Sequence, residues 1–425
     1  MLPTFILASL LSFASTTNRP ATGAAPPRVA PAPTAASSVD PAFDALRKQF
    51  TDLSAWLRSK PSLGPDERRE ISGFRSAAVA YATEHPDNAA VVGMLVQAAV
   101  WLDDDEAVDA GFRQLAQLRP EDGNVFASWA SFYTQRFDYV TALSTLEKVK
   151  RNRETYTRYP KVALQIADTL IMLNRFDEAT ESLDLINLTP PPGPNINNEA
   201  ARLRGVSTAC SLLWPAEQVL REAEARADDL PRVEITTNRG RFVLELFENQ
   251  APNHVANFID LVEKGFYDGT RFHRVIAGFM AQGGDPNTTL GGSGTPGTGG
   301  PGYRIVGEQA VQDARKHFIG SLAMAHSGNP DSGGSQFYVC FGAPTHLNGV
   351  HTVFGRVLEG LPDFLRTKQD DTVISARVLR KREHPYVPST LAPLPPAPPP
   401  PVPSAGGRPG PPTRLVPSRD PSLPR

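Results

Sequence analysis

Apolar residues recur at intervals of three and four from about residue 41 to residue 230, which is the spacing of amphipathic helices. The first such stripe runs from Leu46 to Leu57. A proline-rich break at residues 189–194 interrupts the pattern, which then resumes. Pro215 is expected to open the last helix, because proline is tolerated in a first helical turn. The segment is therefore predicted to be an all-α domain.

Short echoes within this helical segment indicate internal repeats. Pro86 and Pro120 lie 34 residues apart, and the Arg-Phe-Asp of residues 136–138 returns 39 residues later at residues 175–177. Repeats of paired helices stack on their neighbours and often build a concave surface. The echoes therefore predict two or three degenerate helix-pair repeats.

The second echo is similar to the tetratricopeptide repeat, in which a small residue lets the paired helices approach closely. Ala179 fits that position, whereas its counterpart Val140 does not, so the earlier copy is expected to be degenerate. Leu146 and Leu185 keep the same offset. Two functions stay open for the region: a groove that binds a partner or client segment, or a bundle that only spaces or stabilises its neighbour. Its large aromatic residues are expected to be core: Trp101, Trp129 and Phe132.

The apolar period changes from helix to strand at Pro231. Apolar and polar residues alternate on both sides of Asn238-Arg239-Gly240, which predicts a β-hairpin. One strong helical pattern follows at residues 253–262, and then come short strands separated by glycine-rich loops. This succession predicts a mainly-β barrel over residues 231–382.

The two ends of the chain differ in composition from the predicted domains. Residues 1–17 form a short apolar run with a small-residue end, as in a secretory signal, although a basic start is missing. Residues 18–40 are a Pro/Ala-rich linker, and residues 383–425 are a proline-rich tail that is expected to be disordered. We therefore expect export to the periplasm or beyond, with a cytoplasmic protein as the alternative. The apolar run is too short for a stable membrane span.

Charge and cysteine content exclude several classes of protein. A formal net charge of -2 and a pI near 6.5 give no electrostatic basis for binding nucleic acid. The two cysteines cannot form a disulfide framework or a zinc site. No metal or other cofactor is expected.

The chemistry of the chain is concentrated in residues 272–285. Arg274, Phe279 and Gln282 bring a permanent cation, an apolar wall and an amide into one short segment that ends in two glycines and an aspartate. These groups suit a pocket for an apolar ring attached to a peptide bond. The segment contains no candidate nucleophile.

Three further segments complete a pattern: Gly297-Thr298-Gly299-Gly300; Ala323-Met324-Ala325-His326-Ser327 with Gly334-Ser335-Gln336-Phe337-Tyr338; and His346-Leu347-Asn348-Gly349-Val350-His351-Thr352-Val353-Phe354-Gly355. In this order and spacing the segments closely resemble the cyclophilin-type peptidyl-prolyl cis-trans isomerases over roughly residues 232–380. The resemblance implies a closed eight-stranded barrel with two capping helices, which accelerates rotation about X–Pro bonds in client proteins without a cofactor.

The resemblance also implies roles for individual residues. Arg274, Gln282 and Phe279 would be catalytic. His254 is expected to lie on a helix surface without a catalytic role. The substrate-binding residues would be His273, Met280, Gly297, Ala325, His326, Gln336, Tyr338, His346, Leu347 and His351. Taken singly, most of these residues are better explained by structural roles: Phe279, Met280 and Tyr338 as plain barrel core, and His273 and His351 as structural histidines. The combination of Arg274 and Gln282 amid apolar residues favours the functional interpretation.

The chain departs from the family pattern at several positions. His346 replaces a tryptophan, which affects cyclosporin binding more than catalysis, and His326 and Tyr338 replace asparagine and phenylalanine. Residues 288–294 look like an insertion. The expected partners are proline-containing segments of client proteins, together with a protein partner on the helical repeats. The alternative is a non-catalytic module that only grips proline motifs, and a holdase activity of the helical repeats is a third hypothesis.

Overall fold

The computed structural model describes residues 40–186 and 194–392. The predictions of a signal peptide, a linker, a proline-rich break and most of a tail fall on residues 1–39, 187–193 and 393–425, outside these ranges. Within them the N-terminal part is helical, as predicted. Its helices are α1 (Pro41–Arg58), α2 (Pro65–Glu84), α3 (Ala89–Leu102), α4 (Asp105–Leu118), α5 (Gly123–Thr134), α6 (Tyr139–Leu146), α7 (Arg153–Arg158), α8 (Pro160–Met172), α9 (Phe176–Asp184) and α10 (Pro194–Ala227).

A side-chain cap fixes the start of the first helix. The carboxylate of Asp40 accepts hydrogen bonds from the backbone N–H groups of Ala42 and Phe43, and Pro41 takes the first helical position. The same device recurs along the region, which explains why its helices begin at short polar residues. The caps of α3 to α7 are Asn88, Asp104, Asp122, Asp138 and Asn152.

Three residues with left-handed backbone conformation mark the true repeat. Asp103, Phe137 and Asn174 have φ of 58°, 61° and 58°, and each directly precedes the N-cap of a second helix in a pair. They lie 34 and 37 residues apart. The first interval equals the 34-residue spacing of Pro86 and Pro120, whereas the second is 37 residues and not the 39 of the sequence echo, because Phe137 corresponds to Asn174 rather than to Phe176.

The corrected register restores the small residue to the earlier copy. Ala142 and Ala179 each lie four positions after an N-cap and both are fully buried, whereas Val140 is exposed. The prediction that the earlier copy lacks the small residue is therefore wrong. Three helix pairs share one turn geometry, and their membership of the tetratricopeptide family stays a prediction.

The aromatic residues assigned to the helical core are buried there. Trp101 stacks on Phe50 with ring centroids 5.6 Å apart, and Trp129 and Phe132 are also buried. Pro215 does not open a helix: it lies on the exposed side of the continuous helix α10, which is anchored by buried residues on both sides of it. Among the described residues no helix is long and apolar enough to cross a membrane.

The C-terminal part is an eight-stranded antiparallel sheet that curls into a barrel. The strands are β1 (Arg232–Thr237), β2 (Gly240–Leu246), β3 (Arg274–Ile276), β4 (Met280–Gly283), β5 (Ser321–Met324), β6 (Phe337–Cys340), β7 (Val353–Glu359) and β8 (Val373–Arg380). Their order is β3-β4-β6-β5-β7-β2-β1-β8. The two capping helices are α11 (Pro252–Glu263) and α12 (Leu361–Leu365).

Backbone contacts between the two edges close the barrel. Arg271, just before β3, forms a bridge with Thr372, just before β8, and the N–H of Phe272 donates to the carbonyl of Asp371 at 2.9 Å. The β1–β2 hairpin is confirmed, and its turn ends at Gly240 with a φ of 144° that favours glycine.

Helix α11 packs its apolar side into the barrel core. Phe258 contacts the rings of Phe337 and Phe354 at 5.6 and 5.5 Å between centroids. His254 on the same helix is buried, and its Nδ1 lies 2.6 Å from a carboxylate oxygen of Glu308. The prediction of a surface histidine is therefore wrong, because the helix begins with its first turn already covered by the Glu308 loop.

The chain continues to contact the barrel beyond the predicted boundary at residue 382. Tyr386 is buried, and its hydroxyl donates to Glu248 at 2.9 Å. Further on, Leu391 pairs with Arg304 through backbone hydrogen bonds of 2.7 and 3.0 Å. Residues 383–392 are therefore part of the barrel domain, not of a disordered tail.

Helix α10 joins the helical region to the barrel. Glu217 and Glu224 on this helix form buried ion pairs with Arg315, whose guanidinium also lies 3.6 Å from the ring centroid of Phe247. Trp214 on α10 contacts Phe318 at 5.0 Å between ring centroids. These contacts fix the position of the helices relative to the barrel.

Candidate active site

Strands β3 and β4 present the two polar groups of the site side by side. Arg274 lies directly opposite Gln282 in the antiparallel register, and its Nη1 lies 3.5 Å from Gln282 Oε1. The connecting turn is closed by a hydrogen bond from Phe279 N–H to the Ile276 carbonyl, with Gly278 at a φ of 71°. The guanidinium of Arg274 is exposed to solvent.

These residues border an open groove of about 650 Å³ on the outer face of the barrel. The groove is lined by eleven of the thirteen residues assigned from the sequence: Arg274, Phe279, Met280, Gln282, Gly297, Ala325, His326, Gln336, Tyr338, Leu347 and His351. One side of the groove is thus polar and the other is apolar.

A chain of amides fixes the polar side. Gln282 donates from Nε2 to Gln336 Oε1 at 2.9 Å, and Gln336 donates to the carbonyl of Gly299 at 2.8 Å. The donation sets the orientation of the Gln282 amide, so that its oxygen faces Arg274. Both groups are therefore held in place before a peptide arrives.

The glycine loop is held by a buried carboxylate that the sequence did not single out. Asp285 accepts hydrogen bonds from the backbone N–H groups of Gly297 and Gly299, the latter at 3.2 Å, and from Asn287 at 2.8 Å. A Cβ on Gly299 would collide with this carboxylate. The aspartate directly after β4 thus positions one edge of the groove.

Apolar side chains form the opposite wall. Met280 and Tyr338 lie side by side on neighbouring strands and are buried up to the surface that faces the groove, and Leu347 borders them. The hydroxyl of Tyr338 is buried behind this wall, where it lies 2.9 Å from His317 Nε2. Tyr338 and Met280 therefore belong both to a buried cluster behind the wall, separate from the barrel interior, and to the groove wall itself.

Burial keeps His317 neutral. Its Nδ1 lies 2.9 Å from Asn348 Oδ1, which can only accept, so Nδ1 carries the proton and Nε2 accepts from Tyr338. Burial lowers the pKa of His317 to about 4, although the hydrogen bond to Asn348 opposes the shift. The tyrosine hydroxyl, itself buried, has a raised pKa.

A stacked pair of histidines closes the end of the groove. The rings of His326 and His351 lie 3.9 Å apart, and each donates to a backbone carbonyl at 2.9 Å, that of Val350 and Met324 respectively. Burial, together with the neighbouring His326, lowers the pKa of His351. The lowered pKa of His351 favours its neutral form, so this ring does not add a second cation to the groove.

Comparison with known proteins agrees with this geometry. The family model for cyclophilin type peptidyl-prolyl cis-trans isomerase/CLD matches residues 232–378. A peptidyl-prolyl cis-trans isomerase of Helicobacter pylori is 51% identical over 143 residues, which are 33% of this chain and 82% of that protein. The chain belongs to the cyclophilin-type peptidyl-prolyl isomerases.

Two further comparisons cover a similar share of the chain. Peptidyl-prolyl cis-trans isomerase B of Bacillus subtilis is 48% identical over 134 residues, which are 32% of this chain and 87% of that protein. A solved cyclophilin type isomerase of Cryptosporidium parvum aligns at 28% identity and a TM-score of 0.32, over 36% of this chain and 99% of that one.

Two residues assigned to the cyclophilin groove lie outside its lining. His273 lies beneath the glycine loop, about 3.7 Å from the position of a Cβ at Gly297. His346 stacks on Phe279 with centroids 5.9 Å apart but lines the neighbouring cleft. Neither side chain lines the groove: His273 lies behind Gly297, and His346 lies beside Phe279.

The cyclophilin groove also contains residues that the sequence did not indicate. Tyr303 lines it and donates to Asn257 Oδ1 at 2.8 Å, while Asn257 donates to the Gly334 carbonyl at 2.8 Å. Tyr303 follows the glycine-rich residues 297–300 closely in the sequence, and this proximity could have indicated that it lies at the groove. No sequence pattern indicated Ser332, because only the folded chain brings this residue to the groove.

Within the described parts of the chain no group of three or more His, Cys, Asp or Glu side chains is arranged to hold a metal ion. Leu290, in the suspected insertion, is exposed and does not line the groove.

Proposed function

We propose that Arg274 and the groove beside it accelerate cis/trans rotation of X–Pro bonds in client proteins. Rotation about a peptide bond is slow because amide resonance gives a barrier of about 18–20 kcal/mol. A catalyst must bind the twisted amide more tightly than either planar form. The groove offers a site for the proline ring and a cation for the nitrogen that twisting exposes.

Each element of the groove has a role in this proposal. The proline ring packs on Met280, Tyr338 and Leu347. The guanidinium of Arg274 donates to the prolyl nitrogen, whose lone pair becomes basic only when resonance is lost. Gln282 holds the backbone of the client. The N–H of Ala325 already donates to the Gln336 carbonyl at 2.9 Å, so this N–H is not free to donate to the client.

The observation that carries the proposal is the position of Arg274. Its side chain is exposed at the edge of an apolar wall and faces an amide whose orientation is fixed by Gln336. Lysine would be a poorer donor here, because it lacks the planar fork. No general acid or base is required, since no covalent bond is broken.

The test compares Arg274→Ala with Arg377→Ala, a substitution of an exposed arginine on β8 outside the groove. We expect kcat/KM for a proline peptide to fall by about two orders of magnitude in the first and to stay unchanged in the second, with similar unfolding midpoints. Near-normal turnover in Arg274→Ala would contradict the assigned roles. Peptide binding without rate enhancement by the unmodified protein would instead indicate a binding module.

We also propose that the protein is exported. We propose further that its helix pairs are tetratricopeptide-like repeats that bind a partner or client and act as a chaperone. The signal-like residues 1–17 support export, and the shared turn geometry of the three helix pairs supports a repeat surface. N-terminal sequencing of the mature protein tests export, and suppression of aggregation by the full chain with Arg274→Ala tests a chaperone role separate from catalysis.

A further inference from the structure

A second cavity, of about 950 Å³, lies where the helices meet the barrel. Helices α6, α8 and α10 form one wall. The β3–β4 turn and residues 341–346 form the other. We call this cavity the interdomain cleft. A cyclophilin barrel alone would supply only the second wall.

The interdomain cleft is continuous with the prolyl groove. Phe279 lines both of them. The consecutive residues His346 and Leu347 divide between them, with His346 in the cleft and Leu347 in the groove. A chain whose proline lies against Leu347 can therefore pass over Phe279 directly into the cleft.

The chemistry of the helical wall favours apolar ligands. Tyr139, Met172 and Val206 are partly buried hydrophobic residues there. Arg202 Nη2 lies 2.7 Å from Glu199 and 3.7 Å from Asp168, so these charges are paired within the wall. The wall therefore presents hydrocarbon surface beside one cluster in which a single arginine is shared by two carboxylates.

The wall is also rigidly placed. Arg315 of the barrel is buried between Glu217 and Glu224 of α10, the helix that carries Arg202 and Val206. Phe318 of the barrel packs into the aromatic cluster of Trp214 and Phe176. The cleft therefore exists before a client binds, which reduces the entropy cost of binding.

We propose that the interdomain cleft binds the apolar residues that flank the proline in an extended client segment. The proposal rests on the proposed isomerase function and assigns the helical region a part in substrate selection. An extended chain rises about 3.3 Å per residue, so the residues that flank the proline extend beyond the groove towards the cleft. The occupant is the client itself, because the cleft opens from the site where its proline is held.

The test uses the full chain and two peptides with the same X–Pro bond: a tetrapeptide, and a peptide extended by apolar residues on both sides. Burying one further apolar side chain should raise kcat/KM of the unmodified protein about tenfold for the longer peptide. Arg202→Trp and Ala277→Trp fill the cleft from opposite walls and should abolish this gain while leaving tetrapeptide turnover unchanged. Both residues are exposed, so the changes do not enter a core.

Two control variants distinguish blocking of the cleft from loss of the Arg202 ion pairs and from the addition of a large side chain to α10. Arg202→Ala removes the same ion pairs without filling the cleft, and Val219→Trp adds a large side chain on an exposed part of α10 outside it. Both should keep the gain. Equal turnover of the two peptides by the unmodified protein would overturn the proposal, as would a gain that survives both cleft-filling changes or an equal loss for both peptides.

Failure of the isomerase function itself is distinguishable. If the unmodified protein accelerated neither peptide, fluorescence anisotropy with the same labelled peptides would still report the cleft. Tighter binding of the longer peptide, lost in Arg202→Trp and kept in Arg202→Ala, would support the cleft. Equal affinities for the two peptides would reject it.

Discussion

The hydroxyl of Tyr338 lies 2.9 Å from Nε2 of His317, beneath the wall of the prolyl groove. His317 is in turn held by Asn348, the residue directly after Leu347 in the groove. The groove wall is thus connected to a buried chain of polar residues behind it. Substitutions among these buried polar residues should therefore change the stability of the protein without changing its isomerase activity.

The first prediction concerns Tyr338→Phe. It keeps the ring that faces the groove but leaves His317 Nε2 buried without a donor, so we expect a loss of about 1–3 kcal/mol in the free energy of unfolding with little change in kcat/KM. Denaturant unfolding and a peptide isomerisation assay measure the two quantities.

The matched control is Tyr159→Phe, where the hydroxyl donates a long 3.4 Å hydrogen bond to the backbone carbonyl of Glu121. It should cost little stability. Equal costs for the two substitutions would show that the His317 contact adds nothing.

The second prediction concerns pH. The pKa of His317 is lowered from 6.5 to about 4 by burial, so between these values the unfolded chain binds a proton that the folded chain does not. Stability due to this group is therefore complete above pH 6.5 and falls as the pH drops towards 4, by on the order of 3 kcal/mol. Unfolding in urea at a series of pH values measures the slope.

The variant His317→Gln cannot titrate and should lack this part of the pH dependence, although it is less stable at neutral pH. A variant whose unfolding free energy followed the same pH curve as the unmodified protein would show that other groups cause the slope.

The third prediction concerns the buried ion pairs between α10 and the barrel. Burial opposes ionisation of Glu217, but hydrogen bonds from Arg315 hold the pKa of that carboxyl below its ordinary value. Arg315→Met leaves two buried carboxylates without their main partner, so we expect a loss of about 3–5 kcal/mol. The unfolding midpoint and its transition width measure it.

Lys48→Met provides the comparison, because Lys48 and Asp52 form an exposed ion pair on α1. Such pairs contribute about 0–1 kcal/mol. If both methionine variants lost the same amount of stability, the interdomain ion pairs would have no special role.

The fourth prediction concerns the glycine loop. Asp285→Asn keeps the size of the side chain but replaces one acceptor oxygen with a donor, facing the N–H groups of Gly297 and Gly299. We expect the loop to loosen and KM to rise several-fold with a smaller change in kcat. Asp313→Asn, at an exposed position, should leave both constants unchanged. An unchanged KM in Asp285→Asn would mean that the loop does not contribute to binding.

The sequence alone predicted most of the groove, because its residues fall in short segments whose spacing is set by the strands. Arg274 and Gln282 are an example, since a tight turn between two antiparallel strands must place them opposite each other. The hairpin at β1–β2 and the burial of Trp101 follow from equally local patterns.

Errors arose where distant packing decides the outcome. His254 carries a polar side chain on an amphipathic helix, and only the position of Glu308 shows that it is buried. The helical repeat was placed two residues out of register, because the Arg-Phe-Asp echo is fortuitous whereas the left-handed turn residues Phe137 and Asn174 differ in type. The interdomain cleft could not be predicted at all, since its walls come from separate domains.

Helix α10 is buried against both domains at once. Leu203 and Cys210 pack within the helical region, while Glu217 and Glu224 are held by the barrel. Melting this helix removes support from both parts, so the heat-induced transition of the described chain should be single, with calorimetric and van't Hoff enthalpies that agree. The barrel is then not a flexibly linked domain. Its catalytic face keeps one orientation relative to the helices for as long as the protein is folded.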